Sequence, residues 1–323
     1  MGEPARKIEF ADGLATTPGL AYRCGMRYLL IANPATGGGK NEERIALART
    51  WFAQRGDEVE TWRTEGPEHA TRLAREAAAD GRWDAVIAAG GDGTINEVLN
   101  GLAGSAMPLG ILPWGTGNVF AKEMGFPRSL RRCCRVIRKG RTARLDLGRA
   151  GERRFLMMAG AGIDAFALAE MRGKNWKRVF GVTGYVIGGL FAFARYREAR
   201  ITARFPDGRV ERGSYVLVSN TRRYGGIFSI APDASPVDGR LDVFIHRGTS
   251  RWGLVRLVLE LLALPRSGPR VKRIVRAASV ELEAAGEVPL QLDGDPVGIL
   301  PRRIEVEPRA VSVILPRKVL KTL

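Results

Sequence analysis

The segment Gly90-Gly91-Asp92-Gly93-Thr94-Ile95-Asn96-Glu97-Val98 puts a carboxylate and bare backbone amides into one tight turn behind an apolar run, Asp84 to Ala89. Glycines let the backbone come close to an anion, and a helix start beyond them offers unpaired N–H groups and the positive end of the macrodipole. Ile95, Val98, Leu99 and Leu102 recur at helical spacing, so the segment reads as strand, glycine turn, helix. Asp92 would repel a bare phosphate, and a bridging Mg2+ gives it a reason to be there. The chemistry expected is phosphate binding with a metal ion.

Two other glycine-rich segments do not fit better-known phosphate loops. Asn33-Pro34-Ala35-Thr36-Gly37-Gly38-Gly39-Lys40-Asn41 contains Gly-Lys, but a Walker loop needs Gly where Pro34 stands and Ser or Thr where Asn41 stands. Gly160-Ala161-Gly162-Ile163-Asp164-Ala165 follows the apolar Phe155 to Met158 and has the GxGxxA form of a dinucleotide fingerprint. The acidic residue wanted about 20 positions further on is missing, since no Asp or Glu occurs between Glu170 and Glu198, which argues against NAD there.

The elements that must position these turns alternate strand and helix at short intervals. Tyr28 to Ala32 reads as a buried strand, Asn41 to Gln54 as a helix capped by Asn41 and ended at Gly56, and Glu58 to Trp62 as a second strand. Then come a helix over Glu68 to Ala79, the strand Asp84 to Ala89, the helix from Thr94, the strand Leu109 to Pro113 and a helix from Gly117. This order predicts an α/β domain with a parallel sheet, and ligands at the carboxyl ends of its strands, where the glycine-rich turns Gly37 to Gly39, Gly90 to Gly93 and Gly115 to Gly117 fall. After Asp146 the pattern changes to short alternating strands with turn punctuation, such as Ile201 to Phe205 before Pro206-Asp207-Gly208, Tyr215 to Ser219, Val280 to Leu282, Leu290 to Leu292 and Ile304 to Val306. A mostly antiparallel second domain is expected, with Val311 to Leu315 left over as a final strand.

At 323 residues and 45% hydrophobic content, the chain can fill two cores. Cys24, Cys133 and Cys134 are odd in number and lack CxxC spacing, and His69 and His246 are the only histidines, so structural zinc and a disulfide framework are not expected. The thiols suit a reducing cytoplasm and read as small apolar fillers. No run reaches the roughly 20 apolar residues of a membrane-spanning helix. Val179 to Ala194 comes nearest, broken by four glycines and flanked by Arg178 and Arg195, and reads as a buried helix or the wall of a lipid pocket. Residues 1–25 lack the long apolar run of a secretory signal and read as a disordered extension.

The net charge of +17 suits either nucleic acid or an anionic bilayer. Between Arg128 and Arg144 stand eight basic residues and no acidic one. Arg131, Arg132, Arg135 and Arg138 share one face of a predicted helix with Arg128 and Lys139, leaving Leu130, Cys134 and Ile137 to pack. The face is either simply solvated or docks on an anionic membrane. No aromatic stacking platform or nucleic-acid motif accompanies the charge, so a nucleic-acid partner is not expected.

From about Arg27 to Lys318 the chain resembles the diacylglycerol kinase catalytic-domain family, which includes sphingosine kinases, ceramide kinases and many bacterial lipid kinases. The resemblance lies in Asn33 to Gly39, Gly90 to Asn100, Leu109 to Asn118, Gly160 to Ala165, Tyr224-Gly225-Gly226 with Ala231 to Ala234, Asp238 to Asp242, and Leu292-Asp293-Gly294-Asp295. It implies two domains, residues 26–147 with returning 310–323 as a nucleotide-binding α/β domain and 148–309 as a lipid-substrate β-sandwich, with the active site in the cleft between them. It implies an ATP- and Mg2+-dependent transfer of phosphate to a lipid hydroxyl, in a cytoplasmic protein held peripherally at the inner face of the membrane.

Position by position, the resemblance implies that Asn33, Thr36, Gly37, Thr64, Gly90, Gly91, Asp92, Gly93, Thr94, Asn96 and Thr116 contact ATP. Asp293 matches the general base, with Asp295 as a second carboxylate; alone, Asp293-Gly294 also reads as a hairpin turn. Asp238, with main-chain oxygens of Ser235 and Arg240, matches a structural Mg2+ site, and equally reads as a turn. Asp164 either orients the metal or caps a helix. Asp295 stands where many members have Glu, and Val119 where bacterial diacylglycerol kinases often have Asp, which leaves the acceptor open between diacylglycerol and other hydroxylated lipids such as sphingoid bases. A kinase of a soluble acceptor such as NAD and a non-catalytic nucleotide- or lipid-binding regulator are the rival readings. The oligomeric state is open, a homodimer being one option.

Overall fold

The computed structural model describes residues 25–36, 40–171, 195–196, 199–225, 228–248, 252–253, 255–256, 259–260, 274–321 and 323. Gly37, Cys24, nearly all of the expected N-terminal extension and the apolar stretch Val179 to Ala194 lie outside these residues. In chain order the elements are β1 (Arg27–Ala32), α1 (Asn41–Ala53), β2 (Glu58–Arg63), α2 (His69–Asp80), β3 (Ala85–Gly90), α3 (Asp92–Leu102), β4 (Leu109–Pro113), α4 (Val119–Glu123), α5 (Leu130–Lys139), β5 (Thr142–Ala150), β6 (Arg153–Phe155), β7 (Met158–Ala161) and α6 (Ile163–Met171). They continue with β8 (Ile201–Arg204), β9 (Val210–Gly213), β10 (Tyr215–Ser219), β11 (Arg223–Tyr224), β12 (Phe228–Ser229), β13 (Leu241–His246), β14 (Ile274–Ala277), β15 (Ser279–Ala284), β16 (Pro289–Leu292), β17 (Asp295–Ile299) and β18 (Arg302–Ile314). Two compact units result: one takes the chain as far as Leu145 and returns for Arg309–Leu323, the other is Asp146–Pro308.

The first unit is built on a parallel sheet in the order β2-β1-β3-β4-β18. The sequence of β3, AVIAAG, is buried at every position, as a central strand covered on both faces requires. Ile45, Ala48 and Phe52 recur on one side of α1 and are buried, with the Phe52 ring 4.8 Å from that of Tyr28 in β1. On α5 the same service falls to Cys133, Cys134 and Ile137. Burial pushes both thiols up to about 12, which suits their role as fillers. Helices α2 and α3 pack on each other.

Two sequence expectations change here. Asn41 does not cap α1; Lys40 holds the N-cap position, and the Asn41 side chain, buried, reaches back into the preceding loop. Arg138 leaves the exposed basic face: its Nε donates to Oδ2 of Asp57 at 2.7 Å, because Asp57, wholly buried at the start of β2, needs a counter-charge there. Arg131, Arg132 and Arg135 remain exposed on α5.

The second unit is a β-sandwich. One sheet runs β14-β13-β10-β7-β16-β17, antiparallel throughout. In the other, β8 pairs antiparallel with β9 and β15, and β15 with the first residues of β18. Ala159, Val216, Val218, Val243 and Leu290 from the first sheet meet Ile201, Ala203, Val280, Leu282 and Ile304 from the second in one apolar cluster. Strand β7 sits in the middle of its sheet, between β10 and β16. The helix α6 leaves from its end, so residues just after β7 lie over the sheet.

Candidate functional site

In the first unit the glycine-rich turns come off the carboxyl ends of β1, β3 and β4, which are hydrogen-bonded neighbours or next neighbours. The amide of Asn33 donates to the Ala89 carbonyl at 3.1 Å, and its side-chain Nδ2 donates to Thr94 Oγ1 at 3.2 Å. Asn41 Nδ2 donates to the Asn33 carbonyl at 2.7 Å and to Thr36 Oγ1 at 3.3 Å. Asn33, Thr36, Asn41 and Thr94 are thereby tied into one network, and the sequence had assigned Asn41 a different job.

The second tie joins the Gly90 and Gly115 turns. The amides of Trp114 and Gly115 donate to the Gly90 carbonyl, and Gly115 approaches Gly91 so closely that a Cβ on it would overlap the Gly91 Cα. Asn118, at φ 49°, wraps its side chain around this turn: Oδ1 accepts from the Gly115 amide and Nδ2 donates to the Gly115 and Pro113 carbonyls. Asp92 opens α3, and its Oδ1 accepts the Phe120 amide at 3.1 Å. Gly93 and Thr116 are exposed at the mouth of the turns, and Thr94 is buried beneath them. Asn96 lies one turn along α3, with Oδ1 accepting from Asn100 at 2.6 Å; Thr64 is buried just past β2, its amide on the Ala32 carbonyl.

These contacts leave a helix start and several backbone amides beside a single carboxylate. Among the described residues no group of three or more His, Cys, Asp or Glu side chains could cage a metal ion. A cation at Asp92 would therefore take most of its ligands from phosphate oxygens and water, the usual situation for Mg2+. The donor set fits that ion in company with a nucleotide.

In the second unit Asp293 and Gly294, both at positive φ (49° and 93°), form the two-residue turn between β16 and β17. The hairpin reading is therefore right, and the Asp293 side chain is also anchored. Its Oδ2 accepts from the Leu156 amide at 2.7 Å, and its Oδ1 from the Met157 and Met158 amides, each at 2.9 Å. Asp295 is exposed at the first position of β17.

Asp164, in the first turn of α6, sits over Gly160 of β7. Its Oδ1 accepts from the Ala165 amide, and its Oδ2 from Gln291 Nε2 at 3.0 Å, with the Tyr215 and Tyr224 hydroxyls at 3.4 and 3.5 Å. Burial pushes its carboxyl up to about 6 despite these donors. Any Cβ on Gly160 would collide with the Asp164 carboxylate and the Gln291 amide. That crowding explains the first glycine of Gly160-Ala161-Gly162 without any dinucleotide. Gln291 was missed in the sequence because nothing in its neighbourhood marks it: it is one residue of an alternating strand, 1% exposed.

The loop from Ser235 to Arg240 is held from below. Asp146, buried, accepts the Gly239 amide on Oδ2 at 2.7 Å and donates its own amide to the Pro236 carbonyl. Asp238 is exposed, and its Oδ1 accepts the Arg240 amide at 3.0 Å, an Asx turn. The Ser235 hydroxyl is buried with no hydrogen-bond partner. Asn220, fully buried, donates to the carbonyls of Asp146 and Leu156 and so links this loop to the segment that holds Asp293.

Comparison with known proteins gives the arrangement a lineage. Residues 27–150 match the model of the diacylglycerol kinase catalytic domain, and residues 157–315 match that of the YegS C-terminal NAD kinase beta sandwich-like domain. The chain is 30% identical over 297 residues to a protein named diacylglycerol kinase from Bacillus subtilis (strain 168), covering 90% of this chain and 97% of that one. It is 36% identical over 242 residues to a protein of Chromohalobacter salexigens named "probable lipid kinase YegS-like", covering 73% and 76%. A crystal structure of a diacylglycerol kinase from Bacillus anthracis str. Sterne superposes with a TM-score of 0.72 at 26% identity, covering 91% of this chain and 98% of that one. Both halves are matched in order and the likeness runs nearly end to end, so the chain belongs to the family of diacylglycerol kinases and YegS-like lipid kinases.

Proposed function

We propose that the protein is an ATP- and Mg2+-dependent lipid kinase that transfers the γ-phosphate of ATP to the hydroxyl of a lipid such as diacylglycerol or a sphingoid base. The observation that carries this reading is the tied pair of turns, Gly90 to Thr94 and Gly115 to Asn118, with Asp92 as their carboxylate, in a chain of this family. In-line phosphoryl transfer needs little covalent help: it needs phosphates held, charge offset and a base near the attacking oxygen.

In this reading the amides of Gly91, Gly93 and Thr94 at the α3 start hold phosphate oxygens, and Asn33, Thr36, Gly37, Gly90, Thr64, Asn96 and Thr116 line the nucleotide's path. Asp92 carries the Mg2+ that accompanies the nucleotide and offsets its charge. Asp293 takes the proton of the lipid hydroxyl as that oxygen forms its bond to the γ-phosphorus and the bond to the bridging oxygen of ADP breaks. Asp295 adds a second carboxylate beside it. Asp238, with the main-chain oxygens of Ser235 and Arg240, is a fitting set for a hard structural cation, all oxygen, on a loop fixed by Asp146.

A lipid acceptor implies work at a membrane surface. Among the described residues no helix is long and apolar enough to cross a bilayer. The exposed Arg131, Arg132 and Arg135 of α5, in a chain of net charge +17, are the proposed contact with an anionic leaflet. In this reading the protein works peripherally at the inner face of the membrane.

The test is transfer of labelled γ-phosphate from ATP to diacylglycerol, sphingoid base, ceramide, phosphatidylglycerol and NAD in mixed micelles, with and without Mg2+. A labelled lipid that requires Mg2+ supports the reading and names the acceptor. Label on NAD instead, or ATP binding with no product on any acceptor, sinks it in favour of a soluble-acceptor kinase or a regulator respectively.

A further inference from the structure

The Gln291 side chain is locked at both ends. Its Nε2 donates to Asp164 Oδ2 at 3.0 Å, and its Oε1 accepts the Gly294 amide at 2.7 Å. A carboxylate only accepts, so Asp164 dictates which end of the Gln291 amide faces it, and thereby presents the oxygen to Gly294. Gly294 is the second residue of the turn whose first is Asp293 and whose exit is Asp295. The chain of contacts runs from α6 through the middle of the sheet to the tip of one hairpin.

The surroundings keep this link in place. Gly160 leaves the space that the Asp164 carboxylate and the Gln291 amide fill, and Gln291 lies opposite it in the register of β16 on β7. Tyr215 from β10 and Tyr224 from β11 point their hydroxyls at the same Asp164 oxygen. The carboxylate is half-buried between two tyrosines and an amide, and this partial loss of water pushes its carboxyl up. The Asp164 carboxylate is thus held by polar partners from three strands, β10, β11 and β16.

We propose that Asp164 is a positioning residue for phosphoryl transfer: acting through Gln291, it fixes the Gly294 amide and so holds the Asp293-Gly294-Asp295 turn in its working geometry. The proposal rests on the lipid-kinase reading, in which that turn carries the base. Asp164 itself touches neither substrate in this scheme.

The experiment exchanges the polarity of the link. In Asp164→Asn the amide Nδ2 can turn toward residue 291 and meet the Gln291 Nε2, so Gln291 flips or swings away and Gly294 loses its acceptor. In the double variant Asp164→Asn with Gln291→Glu, the new carboxylate accepts from both Asn Nδ2 and the Gly294 amide, and the link is rebuilt with its charge moved by one residue. Steady-state rates are measured on the full chain, at pH 8, with ATP and the lipid that the acceptor panel identifies, alongside melting temperature.

The expected result is that Asp164→Asn lowers kcat by about tenfold to a hundredfold, the scale of a misplaced reacting group, with KM for ATP unchanged and the melting temperature not lowered. The double variant then recovers kcat to within about threefold of the parent, a residue for imperfect geometry. Parental kcat in Asp164→Asn overturns the proposal. So does a double variant that melts normally yet stays as slow as the single one, since charge at residue 164 would then be needed for its own sake. If Asp164→Asn does not fold, Gln291→Met breaks the same link from the other end while keeping the bulk; its expected loss in kcat is of the same size, and full activity overturns the proposal. A parent chain that phosphorylates no acceptor takes the lipid-kinase reading down with it, whereas an active parent beside an indifferent Asp164→Asn removes the positioning role alone.

Discussion

The guanidinium of Arg138 and the carboxylate of Asp57 meet at 2.7 Å across 81 positions of sequence, with the Asp57 side chain wholly buried. Asp57 also accepts the amide of Met26, so the pair fastens α5 to the edge where β1 and β2 begin. Removing one partner leaves an uncompensated buried charge. Arg138→Ala is expected to lower unfolding free energy by about 3–5 kcal/mol, measured by urea denaturation. Asp57→Asn with Arg138→Met should recover most of that loss, and failure to do so would show that the pair is not a closed unit.

Because Arg138 is structural, the membrane question belongs to its neighbours. Arg131→Glu, Arg132→Glu and Arg135→Glu together should leave the thermal melt within a few degrees of the parent, since all three are exposed. The same triple variant should lose sedimentation with vesicles containing phosphatidylglycerol, at about 1 kcal/mol per reversed charge or more. The parent's binding should weaken as salt rises. Equal vesicle binding by parent and variant would rule out α5 as the contact.

Asp293 should behave differently from Asp295 under the same change. Asp293→Asn replaces one of two accepting oxygens by a donor that faces the amides of Leu156 to Met158, so at least one buried amide loses its partner, costing about 1–3 kcal/mol along with an expected loss in kcat of about 10²-fold or more. Asp295→Asn, exposed, should lower activity without moving the melt. Activity lost in Asp293→Asn counts toward the base only after the melt shows the variant folded at the assay temperature.

Gly115→Ala is the sharpest probe of the nucleotide turns. Its Cβ would overlap the Gly91 Cα, so the two turns must part. We expect KM for ATP to rise by about tenfold or more, matching the 1–3 kcal/mol typical of overpacking. An unchanged KM would mean that the Gly91 amides do not hold the nucleotide.

The pH dependence follows from Asp164. Its carboxyl titrates near 6 in the folded chain, against 3.8 for the ordinary group, so between these values the folded state binds the extra proton. Stability from this group is present below about pH 4, falls as pH rises toward 6 and is flat above. Compared with Asp164→Asn, the parent should therefore lose up to about 3 kcal/mol between pH 4 and pH 6.5, read from paired urea titrations. A constant difference across that range would show that the Asp164 carboxyl is not pushed up in the folded chain.

The first unit was the more legible in sequence, because a parallel sheet writes itself as apolar runs such as AVIAAG, each followed by a glycine turn and an amphipathic helix. Boundaries moved by a residue or two, as where α3 begins at Asp92 instead of Thr94. What stayed hidden depended on partners far along the chain. Nothing near Asn41 says that its amide turns back to Asn33, nothing near Arg138 names Asp57, and the three amides that hold Asp293 lie more than a hundred residues before it. The Gly160 motif was visible, but its cause, the carboxylate and amide crowded above it, required β16 to be laid beside β7.

Strand β18 crosses from one unit to the other at Pro308–Arg309, and its last residues complete the first unit's sheet: Val313 lies beside Leu109, the Ala310 carbonyl accepts the Gly104 amide, and the Leu315 amide donates to Arg141. During synthesis at roughly 5–20 residues per second, β4 emerges some two hundred residues before the strand that covers its edge. For on the order of ten seconds or more the nascent sheet presents an open flank, the geometry that invites pairing with another chain. Slowing the ribosome over the second unit is therefore expected to increase aggregation of an otherwise unaltered polypeptide, read as its soluble fraction in the cell.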